Sequence, residues 1–324
     1  MILTKDEVLS LTSGYVRVLE SEDGFLTFSR FTEAGEAHSV AKNHVFQPRA
    51  TSSVILEAEG DIRRFRFGFR FERGSSRNFF GFSILENGRF RTSFVVDENE
   101  GSGEYTFVPD GPGRVTLIFP NMTRMWIGNV DVDGDWKAVK RQRKLFIAGD
   151  SITQGYDARE PHRAYSSRVA EAMNAEALNQ AIGGDVFDAE NLDDLPDFDA
   201  DAVLVNYGTN DWAGQRDVKN TSERYFRRLS ERFPKAKVIV VEPIWRATEG
   251  SVKEKTGYTI ADVRAIIRDN ALRCGFTVIP GIDLVPHDPE LFSDASLHPN
   301  DAGFDLYADN LIRELKSRLP ELFY

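Results

Sequence analysis

The residues with the clearest chemical potential form the tripeptide Gly149-Asp150-Ser151, which directly follows the apolar run 145–148. Four apolar residues are too few for a helix, and they predict a strand that is buried on both faces. Gly149 lets the chain turn sharply where this strand ends. Ser151 would then lie at the carboxyl end of the strand, where open α/β sheets place their ligands. The tripeptide also fits an ordinary strand followed by a serine N-cap, so by itself it leaves both interpretations open.

Three later segments also place polar residues directly after apolar ones. They are residues 179–185, 208–211 and 294–300. Because the carboxyl ends of parallel strands meet at one edge of a sheet, we expect these loops to converge on Ser151. They would bring a glycine N–H, an asparagine amide and a histidine with a nearby aspartate to the serine. Acyl transfer needs this set, since it requires a nucleophile, a base, an orienting acid and donors for an oxyanion.

From residue 144 onward, predicted strands alternate with predicted helices, and these elements must position the polar residues. Strands are predicted at 144–148, 202–207, 237–241 and 276–279, and helices at 165–173, 222–233, 258–273 and 301–319. In the last helix the apolar residues recur at helical spacing. The alternation of strands and helices predicts a parallel sheet covered by helices, which is a three-layer α/β/α domain.

The first 143 residues predict an all-β sandwich of the jelly-roll type. Strands are predicted at 15–19, 25–31, 53–58, 62–71, 78–85, 89–96 and 114–119. In the strand 62–71, phenylalanines alternate with residues that are mostly arginine, so the rings share one face and the guanidinium groups the other. Short strands with one apolar face and turn residues between them favour a sandwich. We interpret the arginine face as a solvated surface that keeps the sheet soluble rather than as an anion site.

No metal site is predicted. The segment Asp131-Val132-Asp133-Gly134-Asp135 resembles part of a calcium loop, but its glycine stands at the wrong place, and we expect a polar turn. The histidines other than His298 lack the spacing of metal ligands; they are His38, His44, His162 and His287. Residues 137–144 are basic and are interpreted as the linker between a domain of residues 1–143 and a domain of residues 144–324.

Composition limits the partners. The chain has 324 residues and a formal net charge of −11, which argues against nucleic acid or an anionic membrane as a partner. The single cysteine, Cys274, excludes an internal disulfide bond. Because the first residues are charged and no apolar run approaches the length that spans a bilayer, we expect a cytoplasmic protein. Whether it forms a homo-oligomer stays open.

In this order, the four polar segments resemble the sequence blocks of the SGNH, or GDSL-type, hydrolase superfamily. The resemblance covers residues 144–324 and implies a flavodoxin-like catalytic domain. It implies that Ser151 is the nucleophile and His298 the base. It also implies an oxyanion hole made of the Ser151 and Gly184 N–H groups and the Asn210 side chain, and it implies no cofactor.

One departure from the family pattern concerns the acid. The aspartate usually stands three residues before the histidine, where this chain has Ala295, whereas Asp294 stands four residues before it. For Asp294 to complete the triad, the additional residue must be absorbed between positions 295 and 297. Asp283 and Asp301 are the less favoured substitutes.

The resemblance implies ester hydrolysis through an acyl-enzyme. An all-β domain ahead of an SGNH domain resembles certain carbohydrate esterases that remove acetyl groups, so a small-molecule or carbohydrate ester is the expected substrate. A lipase or lysophospholipase is the nearest alternative, and an inert carbohydrate-binding protein is the alternative from another class. Trp212 and Trp245 flank the proposed loops, and they either stack on a sugar or belong to the core.

Overall fold

The strands form two separate sheets in a computed structural model that describes residues 2–324. The first is a nine-stranded antiparallel sheet and the second a five-stranded parallel sheet. This arrangement confirms the predicted fold class, an antiparallel β domain followed by a parallel α/β domain. None of the helices within residues 2–324 combines the length and the hydropathy needed to cross a bilayer.

The first sheet bends into two layers because one long strand belongs to both. Its strands are β1 (Thr12–Ser13), β2 (Arg17–Glu20), β3 (Leu26–Ser29), β4 (Ile55–Arg73), β5 (Phe80–Glu86), β6 (Arg89–Val96), β7 (Gly101–Phe107), β8 (Gly113–Ile118) and β9 (Thr123–Ala138). The first part of β4 pairs with β8, its second part pairs with β7, and β9 lies along most of its length. The rings of Phe67 and Phe69 on β4 pack against Phe80 and Phe82 on β5, which closes the core between the layers.

Two helices that were not predicted accompany the strands of the first domain. They are α1 (Lys5–Leu11) and α2 (Glu33–Ala41). Thr4 and Glu7 form a capping box at the start of α1, and the Thr32 side chain accepts the Gly35 N–H at the start of α2. These local hydrogen bonds satisfy backbone groups that a strand would have paired with a neighbour.

The predicted polar turn at 131–135 is also wrong, because these residues lie inside β9. There Asp131 pairs in register with Arg66, and its carboxylate lies 3.0 Å from a guanidinium nitrogen of Arg64. Asp133 lies 2.9 Å from Arg63. Cross-strand ion pairs thus explain why a charged segment extends a sheet. The strands predicted separately at 53–58 and 62–71 are one continuous strand, β4.

The second sheet carries helices on both faces. Its strands are β10 (Arg143–Gly149), β11 (Ala175–Asn179), β12 (Ala202–Asn206), β13 (Lys237–Val241) and β14 (Thr277–Ile279), and its helices are α3 (Ser151–Gln154), α4 (Tyr165–Ala172), α5 (Thr209–Ala213), α6 (Val218–Arg232), α7 (Ile260–Arg273) and α8 (Asp301–Arg318). Helices α4 and α8 bury one face, and α6 and α7 bury the other. The strand order is β11-β10-β12-β13-β14, so β11 and β12 flank β10 on opposite sides. Ligands bind at such a switch point, outside the carboxyl ends of the strands.

Buried arginines join the two sheets. Arg30 follows β3, is fully buried, and donates to the carbonyl groups of Ala50 and Ala181, at 2.8 Å and 3.0 Å. Arg141, between the two sheets, donates to Glu57 of the first domain and to Glu171 of the second, each at 2.8 Å. Replacing either arginine would leave buried carbonyl or carboxylate groups without a partner. The division of the chain between residues 143 and 144 stays a prediction.

Candidate active site

Ser151 is positioned by the end of β10 and the start of α3. The Asp150 carboxylate caps this short helix by accepting the Ile152 N–H at 3.0 Å. Gly149 is required at the turn, because a Cβ there would lie 2.2 Å from the Thr153 hydroxyl oxygen. Ser151 is 5 % exposed and lies at the carboxyl end of β10, as predicted from the sequence, and the strand order makes this position the switch point of the sheet. Its hydroxyl is therefore held by a rigid strand-to-helix turn.

His298 and Asp294 complete a hydrogen-bonded chain with the serine. Ser151 Oγ lies 3.0 Å from His298 Nε2, and His298 Nδ1 lies 2.7 Å from Asp294 Oδ2. Both distances lie within ordinary hydrogen-bond range. The expectation that Asp294 reaches His298 across one additional residue is confirmed, whereas the catalytic roles stay predictions. Asp301, a less favoured substitute, accepts the Arg159 N–H instead.

The additional residue is absorbed at Ala295, which adopts a left-handed backbone conformation with φ of 54°. The chain winds around the Asp294 carboxylate, so that Oδ1 accepts the N–H groups of Ser296, Leu297 and His298 at 3.0, 2.7 and 3.1 Å. Partial burial acts to raise the pKa of Asp294, but the Leu297 N–H and His298 outweigh it and lower that pKa to about 2. The acid is therefore ionised and held against the base.

Three N–H donors are available near Ser151. Residues 182–185 form a turn closed by the Asp185 N–H and the Ile182 carbonyl at 3.0 Å, with Gly184 at φ of 90°. A turn with a positive φ at its third residue favours glycine. Neither the Gly184 N–H nor the Ser151 N–H has a protein acceptor among residues 2–324. The Asn210 amide donates to the Asp185 carbonyl at 2.9 Å, which leaves its second N–H for a ligand.

Asn210→Ala is expected to lower kcat for a short-chain ester by a factor on the order of 10²–10³, the effect of losing one oxyanion donor. The Asp185 carbonyl holds the amide in place before the reaction, so the donor needs no reorganisation. Steady-state kinetics with 4-nitrophenyl acetate would check this. An effect confined to KM would instead assign Asn210 to ground-state binding.

The first domain supplies contacts to the oxyanion segment that the sequence did not indicate. Lys42 Nζ lies 3.1 Å from Asp185 Oδ1, and a Cβ on Gly184 would lie 3.3 Å from the His44 ring. Gln154, in α3, accepts the Gly183 N–H at 2.8 Å and reaches the Gln47 carbonyl at 3.4 Å. No local sequence pattern marks Lys42, His44 or Gln47, because each contacts a residue more than one hundred positions away.

The other side of the site is lined by Tyr156. Its ring centroid lies 4.8 Å from that of His298, and the Arg77 guanidinium carbon lies 4.3 Å from the centroid of the Tyr156 ring. Arg77 in turn donates to Asp157 at 2.7 Å, and Asp157 accepts the Ser293 hydroxyl just before the Asp294 turn. A first-domain arginine thus supports both the ring beside the base and the start of the acid-base turn.

Of the two alternatives left open for Trp212, the structure supports the core and not the substrate-binding assignment. Trp212 is 3 % exposed, its Nε1–H donates to the Tyr258 carbonyl at 3.0 Å, and its ring is covered by Arg246 and Lys253. Its faces are therefore occupied. Trp245 is partly exposed and stacks on His287, with ring centroids 5.5 Å apart. Its part in substrate binding stays a prediction.

Two carboxylates beneath the site are buried. Burial raises the pKa of Asp211 from 3.8 to about 7, and burial together with the nearby Asp211 and Asp185 raises the pKa of Asp150 to about 7. Asp211 accepts the Phe187 N–H at 3.3 Å and lies 3.7 Å from Arg216. These contacts only partly offset the burial of a charge.

The contribution of Asp150 and Asp211 to the free energy of unfolding is therefore expected to fall as the pH rises from about 4 to about 7, because in the folded state these two groups keep protons that they lose in the unfolded state. Asp211→Asn removes one of the two groups, so the difference in the free energy of unfolding between pH 5 and pH 8 should change by a few kcal/mol at most. Urea unfolding at pH 5 and pH 8 would check the difference. The exposed Asp199→Asn is the control, and an unchanged pH dependence in Asp211→Asn would contradict the prediction.

One group of side chains has the spacing of a metal site. The ligand atoms of His38, Asp188 and Glu190 lie within 4.8 Å of one another. Lys42 Nζ, however, lies 3.1 Å from Asp188 Oδ2, so an ammonium group already neutralises this carboxylate. We assign the group no role in the chemistry.

The α/β fold and the Ser151–His298–Asp294 contacts are together typical of serine acylhydrolases. Residues 147–306 match the model of the GDSL-like Lipase/Acylhydrolase family. These residues form a GDSL-like acylhydrolase domain, which is consistent with the SGNH superfamily and makes the protein a carboxylic ester hydrolase. No curated protein matches the chain.

Solved structures resemble the whole chain, including both domains. SsfX3, a salicylyl-acyltransferase from a tetracycline biosynthetic pathway, is 18 % identical with a TM-score of 0.78, and the match covers 95 % of each chain. A GDSL-like lipase from Bacteroides ovatus is 18 % identical with a TM-score of 0.71, over 97 % of this chain and 96 % of that one. A family two carbohydrate esterase from Cellvibrio japonicus is 17 % identical with a TM-score of 0.61, over 96 % of each chain. At these identities the likeness concerns the fold.

Proposed function

We propose that the protein hydrolyses short-chain carboxylic esters, in particular acetyl esters on a carbohydrate, through a serine acyl-enzyme. The observation that carries the reaction is the continuous chain Ser151–His298–Asp294, with contacts of 3.0 Å and 2.7 Å. Nucleophile, base and orienting acid are recognised by this geometry rather than by their order in the sequence.

In the first half of the reaction, His298 Nε2 accepts the proton of the Ser151 hydroxyl while Oγ attacks the ester carbonyl carbon. The Ser151 and Gly184 N–H groups and the Asn210 amide face the oxyanion. The C–O bond to the alcohol then breaks, and the alcohol takes the proton from His298. Asp294 holds the Nδ1–H throughout and stabilises the imidazolium.

In the second half, a water gives its proton to His298 Nε2 and attacks the acyl carbonyl carbon. The new tetrahedral intermediate breaks its bond to Ser151 Oγ, which recovers the proton from His298. Carboxylic acid leaves, and the enzyme returns to its starting state. Every proton therefore passes through His298, and the residues described account for each step.

The polar side chains near Ser151 support the proposal that the substrate has a short acyl group and a polar alcohol. Side chains of Gln47, Gln154 and His44 lie around the Gly183–Gly184 turn, whose Gly183 approaches Ser151. A cavity of about 550 Å³ lies between the two domains, but Ser151 and His298 do not line it, so it does not serve as an acyl-chain tunnel at the nucleophile. The carbohydrate part of the proposal is supported by the likeness to a carbohydrate esterase across both domains.

Acetyl and propionyl 4-nitrophenyl esters are expected to be cleaved at least tenfold faster, in kcat/KM, than esters of eight or more carbons, because long chains would meet polar groups near Ser151. A set of acetylated sugars assayed for acetate release would test the carbohydrate part. The reverse chain-length order would favour a lipase or lysophospholipase.

The same acyl-enzyme can be opened by an alcohol instead of water, and the likeness to an acyltransferase makes this worth measuring. Product analysis with an added alcohol would separate free acid from a new ester. A catalytically inert binding protein is disfavoured, because it has no need for the aligned Ser151–His298–Asp294 chain.

A further inference from the structure

An arginine beside the candidate active site uses only part of its hydrogen-bonding capacity. Arg246 Nη1 donates to Thr209 Oγ1 and its Nε donates to Thr248 Oγ1, both at 2.9 Å. Its guanidinium carbon lies 4.4 Å from the centroid of the Trp212 ring. A guanidinium has five N–H donors, so three remain for other partners. Within residues 2–324, no carboxylate lies within ion-pair distance of Arg246.

Arg246 lies between the loop that carries Asn210 and the turn that carries Asp294 and His298. Thr209 directly precedes Asn210, the proposed oxyanion donor. On the other side, the N–H of Ala247 donates to the Ser296 carbonyl at 2.9 Å, inside the turn that carries the acid and the base. Arg246 is thus tied to the Asn210 loop by its side chain and to the acid-base turn by its neighbour in sequence.

A second cation lies on the same indole. Lys253 Nζ is 4.0 Å from the centroid of the Trp212 ring, and it also has no carboxylate within ion-pair distance among the described residues. Trp212 itself is held by its hydrogen bond to Tyr258. The tryptophan therefore serves as a rigid support for two positive charges. In a chain with a net charge of −11, the Trp212 ring thus carries two positive charges close together.

The partial burial of Arg246 makes a missing counter-ion significant. Its side chain is packed against Trp212 and Thr209 and is only partly exposed. Burial lowers the pKa of Arg246, and the nearby charges of Asp294 and Glu249 offset this only in part. The Asp294 oxygens already accept four N–H groups from their own turn, and the Glu249 oxygens accept from Arg264. A ligand carboxylate would pair with the free N–H groups in the two-pronged geometry that arginine favours.

We propose that Arg246, with Lys253 beside it, binds a carboxylate carried by the ester substrate, so that the enzyme prefers esters that bear a negative charge near the scissile bond. This inference rests on the proposed esterase function of the same site. The carboxylate belongs either to the acyl part, as in a half-ester of a dicarboxylic acid, or to the alcohol part, as in an acetylated sugar acid. The chemistry of recognition is the same in both cases.

The test compares matched substrates. For the acyl part, these are mono-4-nitrophenyl succinate and its methyl ester, with spontaneous hydrolysis subtracted. For the alcohol part, they are O-acetylated glucuronic acid and O-acetylated glucose. We expect a higher kcat/KM for the anionic member of at least one pair. In Arg246→Gln, the ratio of anionic to neutral kcat/KM should fall by about tenfold to a hundredfold, as for the loss of a hydrogen bond to a charged group.

Two further variants make the result specific. Arg246→Lys retains the charge and should keep part of the preference. Lys255→Gln removes the same charge from an exposed position of the same loop and should leave the ratio unchanged. An equal fall for both members of each pair in Arg246→Gln would overturn the proposal, because Arg246 would then support the catalytic groups. An unchanged ratio would overturn it as well.

Binding measurements on an inactive variant test the anion site independently of the esterase proposal. Calorimetry on Ser151→Ala with O-acetylated glucuronic acid and with mono-4-nitrophenyl succinate should show tighter binding than with the neutral members, and Ser151→Ala/Arg246→Gln should lose the difference. If the native enzyme hydrolysed none of the esters but this Arg246-dependent binding were present, the esterase proposal would fail while the anion site would stand. Hydrolysis without any Arg246-dependent preference would have the opposite meaning.

Discussion

Replacing Ser151 with alanine is expected to lower kcat for 4-nitrophenyl acetate by a factor on the order of 10⁶, the loss seen when a serine hydrolase loses its nucleophile. The reason is that Ser151 Oγ is the only group the structure places within hydrogen-bond reach of His298 Nε2, at 3.0 Å, among the described residues. Without this oxygen no acyl-enzyme can form. What remains is catalysis by the oxyanion donors and by binding, through attack of water.

The variant should fold normally, because the cap of α3 comes from Asp150 and not from Ser151. Thermal unfolding and circular dichroism would verify this. Ser102→Ala, at an exposed position of β7, is the matched control and should keep full activity. Mass spectrometry after brief exposure to a slow ester should detect an acyl adduct on the native enzyme only. Native-like turnover by a folded Ser151→Ala protein would refute the acyl-enzyme mechanism.

The second large effect is expected for Asp294→Asn, which should lower kcat by up to about 10⁴. In the native turn, Oδ1 accepts three backbone N–H groups and Oδ2 faces His298 Nδ1. An asparagine that keeps its oxygen toward the three N–H groups must turn its NH₂ group toward Nδ1. Nδ1 must then accept a hydrogen bond, which moves the imidazole proton to Nε2. With a proton there, His298 cannot accept one from Ser151.

Asp283→Asn is the control for this variant. Asp283 is the other alternative acid considered from the sequence, and it is exposed. Its substitution should leave kcat within about twofold, in line with a surface position away from the chemistry. A loss of less than about tenfold in Asp294→Asn would show that Ser151 and His298 act as a dyad, with Asp294 serving only to shape the turn.

Local sequence patterns predicted the catalytic domain well. All four predicted strands of the parallel sheet and all of the predicted helices lie within a few residues of their observed positions, because buried strands and amphipathic helices each impose a period on nearby residues. The strands that were missed lack such a period. In β7, Gly101–Phe107, most side chains are exposed, and β9 contains three aspartates, two of which form ion pairs with arginines of β4.

The site was predictable in part for the same reason. Ser151, Asn210 and His298 each follow or precede a regular element at a fixed spacing, so their loops could be recognised and their convergence expected. The link from Asp294 to His298 needed the structure, because it depends on the left-handed backbone of Ala295, and alanine rarely adopts that conformation. The choice between substrate stacking and the core for Trp212 also needed the structure, because adjacency to a loop in sequence does not show whether the ring is covered.

The sequence by itself determined the class of chemistry and the fold that carries it, since both depend on residue types and on periods within short segments. Only the tertiary structure decided how the first domain takes part. Arg30, Lys42 and His44 reach the segment 179–185 across more than 130 residues of chain, and Arg77 reaches Tyr156 beside the base. Such contacts are fixed by the packing of two sheets against each other, and long-range packing leaves no periodic trace in the residues that make it.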